Sequence, residues 1–356
     1  MKIFKKSVAV VVLFGCLAFI SSCKEEEIIF NTIPPSNGSS LTLSGIIGTE
    51  PGINARNSVF VDMSKNLQTS VLRTSWDLGF YCGTDFRVII NHSTGATAIA
   101  VNKTEFSDVT LADVASPPSD STVFDLGKAA ISTVDPVAGN FTDYIAGTVW
   151  KDVTLSDNKV FILRRGVAGG IAQSPLVKVK VTRIANGYQI QYGAVDATSP
   201  RTTTVIKDAS YNFKFLSFQS LATLDIEPAK KLWDIEYSVS TYKDAAGLPV
   251  AAPDFVLINF ANGVTAAEII PGTDETKTYA NFSTANLSGI NFSGNRDVIG
   301  VKWRNTEGST NTSLNINIDR FYLVKDTEGN IYKLKFNGGV RGRPEIQYAL
   351  IPPTPL

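Results

Sequence analysis

The feature that most constrains the fold is an internal repeat that places all four tryptophans in two matching pairs. Residues 75–80 (SWDLGF) match residues 232–237 (LWDIEY) at an offset of 157, and Trp150 matches Trp303 at an offset of 153. Similar sequence segments that recur in the same order and at nearly the same offset indicate a duplication. The two parts of the chain are therefore expected to fold alike.

A third pair of segments supports the duplication and sets its limits. Residues 85–95 resemble residues 254–263 at a slightly longer offset, which fits a small insertion around residues 245–252. We predict one repeat over about residues 45–197 and a second over about 198–356. Because this period is far longer than that of solenoid repeats, the repeats are either two domains or two halves of one body.

Alternating apolar and polar residues dominate both repeats. Val177, Val179 and Val181 alternate with polar residues before an Asn-Gly turn, and residues 321–336 (FYLVKDTEGNIYKLKF) read as strand, turn, strand. Period-two alternation broken by turn residues is the signal of antiparallel hairpins. The sequence predicts an all-β fold of antiparallel, sandwich-like sheets in two related repeats.

The amino-terminal segment resembles the signal of an exported lipoprotein. Lysines precede an apolar run that is too short to span a bilayer comfortably, and the run ends in Ile20-Ser21-Ser22-Cys23. We predict that residues 1–22 are removed and that Cys23 carries the lipid. Cys16 is a weaker candidate, and an ordinary secretory signal without lipid is the alternative.

The residues after Cys23 predict a surface anchor and a tether. Residues 24–27 (KEEE) resemble the export tag of Bacteroidetes lipoproteins that reach the outer face of the outer membrane, although a solvated charge run would look the same. Within residues 23–44, the part from residue 34 onward is rich in proline, serine and glycine. This composition predicts that residues 23–44 form a flexible tether.

Composition excludes several functions. Lysine plus arginine equals aspartate plus glutamate at 33 each, so no basic field exists to attract nucleic acid. The chain has one histidine and no nucleophile elbow, P-loop or zinc-protease motif. We therefore expect a binding protein and not an enzyme, with no dedicated metal site.

The order of marks in the second repeat resembles the HmuY family of haem-binding surface lipoproteins. A Trp-Asp-Ile strand at residues 233–235 is followed far downstream by the hairpin at residues 321–336. The first repeat keeps Trp76-Asp77-Leu78 but has a glycine-rich turn at residues 166–170. The resemblance implies an HmuY-like all-β topology, haem or porphyrin capture, and transfer to a TonB-dependent receptor.

The candidate iron ligands are few. Haem iron takes His, Met, Cys or Tyr as axial ligand, and the family pattern of two histidines or two methionines cannot be met after processing. His92 and Met63 form the candidate mixed pair, and Cys82 is a weaker candidate. Each also has a structural interpretation: His92 as a turn residue, and Met63 and Cys82 as core residues.

Two readings of the function stay open from the sequence. A porphyrin without strong iron ligation would be held by apolar contacts and by Arg or Lys at its propionates. The alternative is a surface binding module for a glycan, a peptide or a partner protein, without haem.

Overall fold

Antiparallel β-strands make up most of the computed structural model, which describes residues 34–115, 131–135, 137, 153–154, 158–310 and 313–352. The first repeat and the segment before it contain β1 (Gly38–Thr42), β2 (Asn57–Asp62), β3 (Leu67–Leu72), β4 (Leu78–Tyr81), β5 (Val88–Ile90), β6 (Thr97–Ala100), β7 (Phe161–Arg164), β8 (Val177–Ile184) and β9 (Gly187–Ala194). The second contains β10 (Arg201–Ile206), β11 (Phe213–Leu216), β12 (Thr223–Leu224), β13 (Ile235–Lys243), β14 (Pro249–Ile258), β15 (Thr265–Ile269), β16 (Arg304–Thr310), β17 (Ser313–Ile316), β18 (Phe321–Lys325), β19 (Ile331–Val340) and β20 (Arg343–Leu350).

Helix is scarce in the described part of the chain. One short α-helix, α1, spans Leu111–Ala115. Single 3-10 turns lie at Gly52–Asn54, Arg73–Ser75, Phe106–Asp108, Ile131–Thr133, Phe260–Asn262, Glu275–Lys277 and Thr284–Asn286. The all-β prediction is confirmed. None of the helices in these residues combines the length and apolar character needed to cross a bilayer.

The strands form matching sheets. One five-stranded sheet has the order β1-β20-β19-β18-β15 and the other has β10-β9-β8-β7-β6. Two four-stranded sheets have the orders β12-β11-β4-β5 and β14-β13-β2-β3, and β16 pairs with β17 alone. The hairpins predicted at residues 177–192 and 321–336 are both present, as β8–β9 and β18–β19.

Strands of one repeat pair with strands of the other. β2 pairs with β13 and β4 pairs with β11, so each four-stranded sheet takes strands from both repeats. Likewise β1 pairs with β20, and β10 pairs with β9. Pro35–Leu356 form one compact unit. The repeats are therefore two interleaved halves of one body.

The turn after each Trp-Asp pair has the same hydrogen bonds in both halves. The Asn91 side-chain amide donates to the carbonyls of Arg73 and Trp76, both at 2.8 Å. The Asn259 amide donates to the carbonyls of Lys230 and Trp233, at 2.8 and 2.9 Å. These matched contacts support the duplication and explain why an Asn follows each Trp-Asp strand.

Several sequence predictions concern residues outside this description. The signal at residues 1–22, Cys23, Cys16, residues 24–27 and Trp150 all lie outside the described residues. The predicted tether was too long, because β1 pairs with β20 along its whole length and Leu43 is fully buried. Leu41 and Leu43 supply the apolar contacts that attach this segment to the central core.

Candidate functional site

The main candidate site is a cleft of about 500 Å3 beside the Trp-Asp turn of the first half. Its lining comes from the segment Glu50–Arg56, the segment Arg73–Asp77, the glycine-rich loop Arg165–Ser174 and Gln219 in the β11–β12 turn, with Thr94 between them. We call it the glycine-rich cleft. Its volume falls within the range typical of small-molecule sites.

Arg73 lies at the base of the glycine-rich cleft and is 1% exposed. Its guanidinium donates to backbone carbonyls only: Ala55 at 2.7 Å, Ser93, Ala168 at 3.4 Å and Gly169 at 3.3 Å. No carboxylate lies within ion-pair distance of it in the described part of the chain. Burial lowers the pKa of Arg73 to about 10, so the group still carries its charge at neutral pH.

A buried cation without a carboxylate partner is unusual. Buried charges are normally paired, because removing a charge from water is costly. The four carbonyl contacts engage four of the five guanidinium N–H donors but, among the described residues, leave its net charge uncancelled. The base of the cleft is therefore favourable for an anionic ligand.

The glycine-rich loop has this sequence because it packs directly against neighbouring groups. A Cβ placed on Gly169 would lie 2.4 Å from Arg73 Nη2, and the φ of Gly169 is +71°. A Cβ on Gly166 would lie 2.3 Å from the Thr94 carbonyl oxygen, at a φ of +86°. Only glycine fits both the conformation and the space at these positions. The loop thereby closes over the Arg73 guanidinium.

Asp77 and Arg165 form an ion pair at the wall of the cleft. Arg165 Nε lies 2.6 Å from Asp77 Oδ1, while Asp77 Oδ2 accepts a 2.7 Å hydrogen bond from the Phe218 backbone N–H. Burial raises the pKa of the Asp77 carboxyl, and Arg165 acts against that rise. In the second half, Asp234 accepts the equivalent bond from the Met63 N–H at 2.8 Å.

Arg56 provides the exposed cation of the cleft. Its side chain is exposed, and no carboxylate lies within ion-pair distance of its guanidinium among the residues described. Glu50, the other acidic residue lining the cleft, accepts backbone hydrogen bonds from Ile47 and Gly48 at 2.8 and 2.9 Å. The lining thus has three arginines and two carboxylates, and one of the carboxylates is already paired.

His92 lies behind the cleft and not in it. The ring is 4% exposed and faces an internal cavity of only about 10 Å3, which has room for one water at most. Trp76 lines both this cavity and the glycine-rich cleft, so its indole separates the two.

The surroundings of His92 keep it neutral. Arg296 Nη2 donates to His92 Nε2 at 3.1 Å, which leaves the ring proton on Nδ1. Burial and the charges of Arg296 and Arg73 hold the pKa of His92 well below its usual value. Its Nε2, the atom that would bind iron, is already occupied by this hydrogen bond.

Met63 and Cys82 are also outside the cleft. Met63 is fully buried in the central core, at the end of β2. Cys82 is half-buried, and burial raises the pKa of its thiol. Among the described residues, His92 faces a cavity of about 10 Å3, Met63 lies in the core, and neither lines the glycine-rich cleft. Their role as axial ligands stays a prediction.

The described residues of the cleft therefore meet only some of the requirements for binding haem. The described lining of the glycine-rich cleft contains no His, Met, Cys or Tyr, so it offers no axial ligand for iron. It does offer arginines for propionates and an apolar surface at Trp76 and Ile171. Nor do any three His, Cys, Asp or Glu side chains converge as metal ligands within the described ranges.

The arginines of the cleft were missed by the sequence reasoning. One difference between the repeats could have indicated the cleft. The first repeat has Gly-Val-Ala-Gly-Gly at residues 166–170, whereas the second has a short turn at residues 326–330. A glycine-rich turn in only one repeat indicated close packing there.

Comparison with known proteins agrees with the fold. The family model described as HmuY protein matches residues 54–348, which is most of the chain and includes both halves. No curated protein and no solved structure is significantly similar to the chain. HmuY proteins are a binding family and not an enzyme family, and membership suggests a haem-binding surface protein. The chain belongs to the HmuY family.

Proposed function

We propose that this protein is a non-enzymatic surface lipoprotein that captures haem or another porphyrin in the glycine-rich cleft. The observation that supports it best is Arg73, a buried cation that has no carboxylate partner among the described residues, at the base of a cavity of about 500 Å3. Family membership supports the porphyrin as the cargo.

The lining residues divide the binding task. Arg56 is exposed and is suited to bind a carboxylate, since guanidinium–carboxylate contacts are short and charge-assisted. Arg73 contributes its positive field from below, and Trp76 and Ile171 supply apolar contact for the ring. Bound haem would supply iron for the cell, and the protein itself would hold and release it.

The remaining parts of the proposal concern the location of the protein. Cys23 would carry the lipid, residues 24–27 would direct the protein to the outer face of the outer membrane, and a TonB-dependent receptor would accept the cargo. Palmitate labelling of the full chain tests the anchor. Labelling that persists in Cys23→Ala would contradict it.

Titration of the purified mature protein with hemin tests the cargo. Arg56→Ala should weaken the hemin Kd about tenfold, which is the value expected for one charged hydrogen bond. Arg201→Ala, an exposed arginine outside the cleft lining, is the matched control and should leave the Kd unchanged. A free-hemin spectrum at stoichiometric protein would reject the proposal.

The alternative is a binding module for a different anionic ligand, such as an acidic glycan or peptide. The absence of an axial ligand from the described lining favours it. Binding of an acidic oligosaccharide or peptide that requires Arg56, together with no hemin binding, would replace haem capture with this function.

A further inference from the structure

Four exposed apolar residues lie close in the chain to the lining of the glycine-rich cleft. Ile53, Leu72, Val167 and Leu221 are 38%, 40%, 36% and 45% exposed. Each lies within two residues of a lining residue along the chain, and none of the four is itself a lining residue. We call these four the apolar rim. Single exposed apolar residues are ordinary, but several near one cavity are candidates for ligand contact.

Leu221 occupies this rim in a strained conformation. Its φ is +58°, in the left-handed region that bulky side chains rarely adopt. The equivalent turn of the other half, between β2 and β3, has Asn66 at φ +54°. Asparagine is one of the residues that tolerates this region best. The first turn thus has the favourable residue, and the turn beside the cleft has an exposed leucine instead.

Strain of this kind persists where the side chain has a use. The backbone N–H of Leu221 donates to the Ser217 carbonyl at 2.9 Å, and Gln219 in the same turn lines the cleft. Asp77 fixes that turn through the Phe218 N–H. The strained leucine is therefore attached to the cleft wall by a defined set of contacts.

The described lining of the site suits an organic anion and contains no metal ligand. Arginines lie at its base and exposed edge, and Trp76 lines both the cleft and the small cavity that holds the His92 imidazole. We propose that the cleft recognises the organic part of its ligand, a flat apolar ring system with carboxylates, and binds it independently of iron. This inference rests on the proposed porphyrin function and specifies its ligand class.

Isothermal titration calorimetry with hemin and with iron-free protoporphyrin IX tests the inference, because the heat signal does not depend on iron. The two Kd values should agree within about threefold. In hemin spectra, His92→Phe and Met63→Leu should leave the Soret band unchanged. Phe is the residue that the second half carries at the position of His92, as Phe260, and so is the conservative replacement.

The outcomes separate the inference from the proposed function. Hemin binding more than about tenfold tighter than protoporphyrin binding, with a Soret band altered by His92→Phe or Met63→Leu, would overturn iron independence and leave haem capture standing. Failure of both porphyrins to bind would overturn the proposed function, and the inference with it.

Leu221→Asn tests the apolar rim separately. The variant should unfold at a higher temperature, since it places the residue of Asn66 in the same conformation, and should bind both porphyrins about fivefold more weakly. Leu248→Asn, an exposed leucine outside the cleft lining, is the control and should change neither Kd. Unchanged porphyrin affinity in a stabilised Leu221→Asn would exclude the rim from ligand binding.

Discussion

At the scale of single residues, the most unusual group is the buried charged cluster around His92. Arg296 Nη2 lies 3.8 Å from Glu236 Oε2 and contacts His92, and Glu227 lines the same small cavity. Burial, with the charge of Glu236, raises the pKa of Glu227 to about 8. At neutral pH the Glu227 carboxyl therefore keeps its proton in the folded protein, where its ionisation is disfavoured.

This cluster predicts that the free energy of unfolding falls as pH rises from 6.5 to 8. In that window the folded state keeps a proton on Glu227 that the unfolded chain has lost, so deprotonation favours unfolding. Asp234, with a pKa raised to about 7, contributes with the same sign. His92 opposes this trend only at the lower end of the window, because its ordinary pKa of 6.5 leaves it largely neutral in the unfolded chain above about pH 7.5.

Urea unfolding at several pH values measures the effect. Glu227→Gln should flatten the slope, and Glu345→Gln, an exposed glutamate, should retain it. A wild-type free energy of unfolding that stays level or rises across this window would contradict the assignment.

At the scale of elements, the two Trp-Asp turns have the same supports but different surroundings. Asn91 and Asn259 each bond two backbone carbonyls, and the Asn91 turn presents Arg73 to the cleft. The glycine-rich loop closes over that arginine, while the matching turn of the second half is short. The two turns thus share a framework and differ in the loop that packs on it.

The Asn91 and Asn259 side chains predict losses of stability in both halves with unmatched effects on binding. Asn91→Ala should lower the free energy of unfolding by about 2–4 kcal/mol, since it leaves two buried carbonyls without that donor. Asn259→Ala should cost less, since Asn262 Nδ2 still donates to the Lys230 carbonyl at 2.7 Å. Only Asn91→Ala should weaken porphyrin binding, because it releases the Arg73 backbone. Equal affinities in the two variants by calorimetry would argue against this difference.

The glycine-rich loop predicts a similar contrast. Gly169→Ala and Gly329→Ala both place a Cβ at positive φ, at +71° and +91°, which costs about 1 kcal/mol. Only Gly169→Ala brings that Cβ against Arg73, whereas Gly329 has open space around it. Porphyrin affinity measured by calorimetry should therefore fall in Gly169→Ala alone. A similar fall in Gly329→Ala would disprove a special role for the loop.

At the scale of the whole molecule, strand exchange joins the two halves. Each four-stranded sheet contains strands from both halves, and β1 completes a sheet whose other four strands lie after residue 264. Neither half can form its four-stranded sheets without strands of the other. The architecture is that of a single cooperative body.

This architecture predicts one unfolding transition for the mature protein. Tryptophan fluorescence and far-ultraviolet circular dichroism should give the same midpoint and slope in denaturant, because losing either half removes partner strands from the other. Two separated transitions would indicate independent domains and contradict the interleaved description.

The all-β class, the main hairpins and the two Trp-Asp turns could be predicted from the sequence alone. Those features arise from local patterns among neighbouring residues, such as the alternation along Val177–Val181 and the residues that follow each Trp-Asp pair. The folded structure was needed to show that strands of the two halves pair, that β1 replaces part of the expected tether, and that His92 lies behind Trp76. Long-range packing determines which strands pair when they are far apart in the chain. It also determines on which side of Trp76 the His92 imidazole lies. Arg73 is a candidate site residue for the same physical reason: its burial, and its lack of a carboxylate partner in the part of the chain that the structure describes, are properties of the folded body.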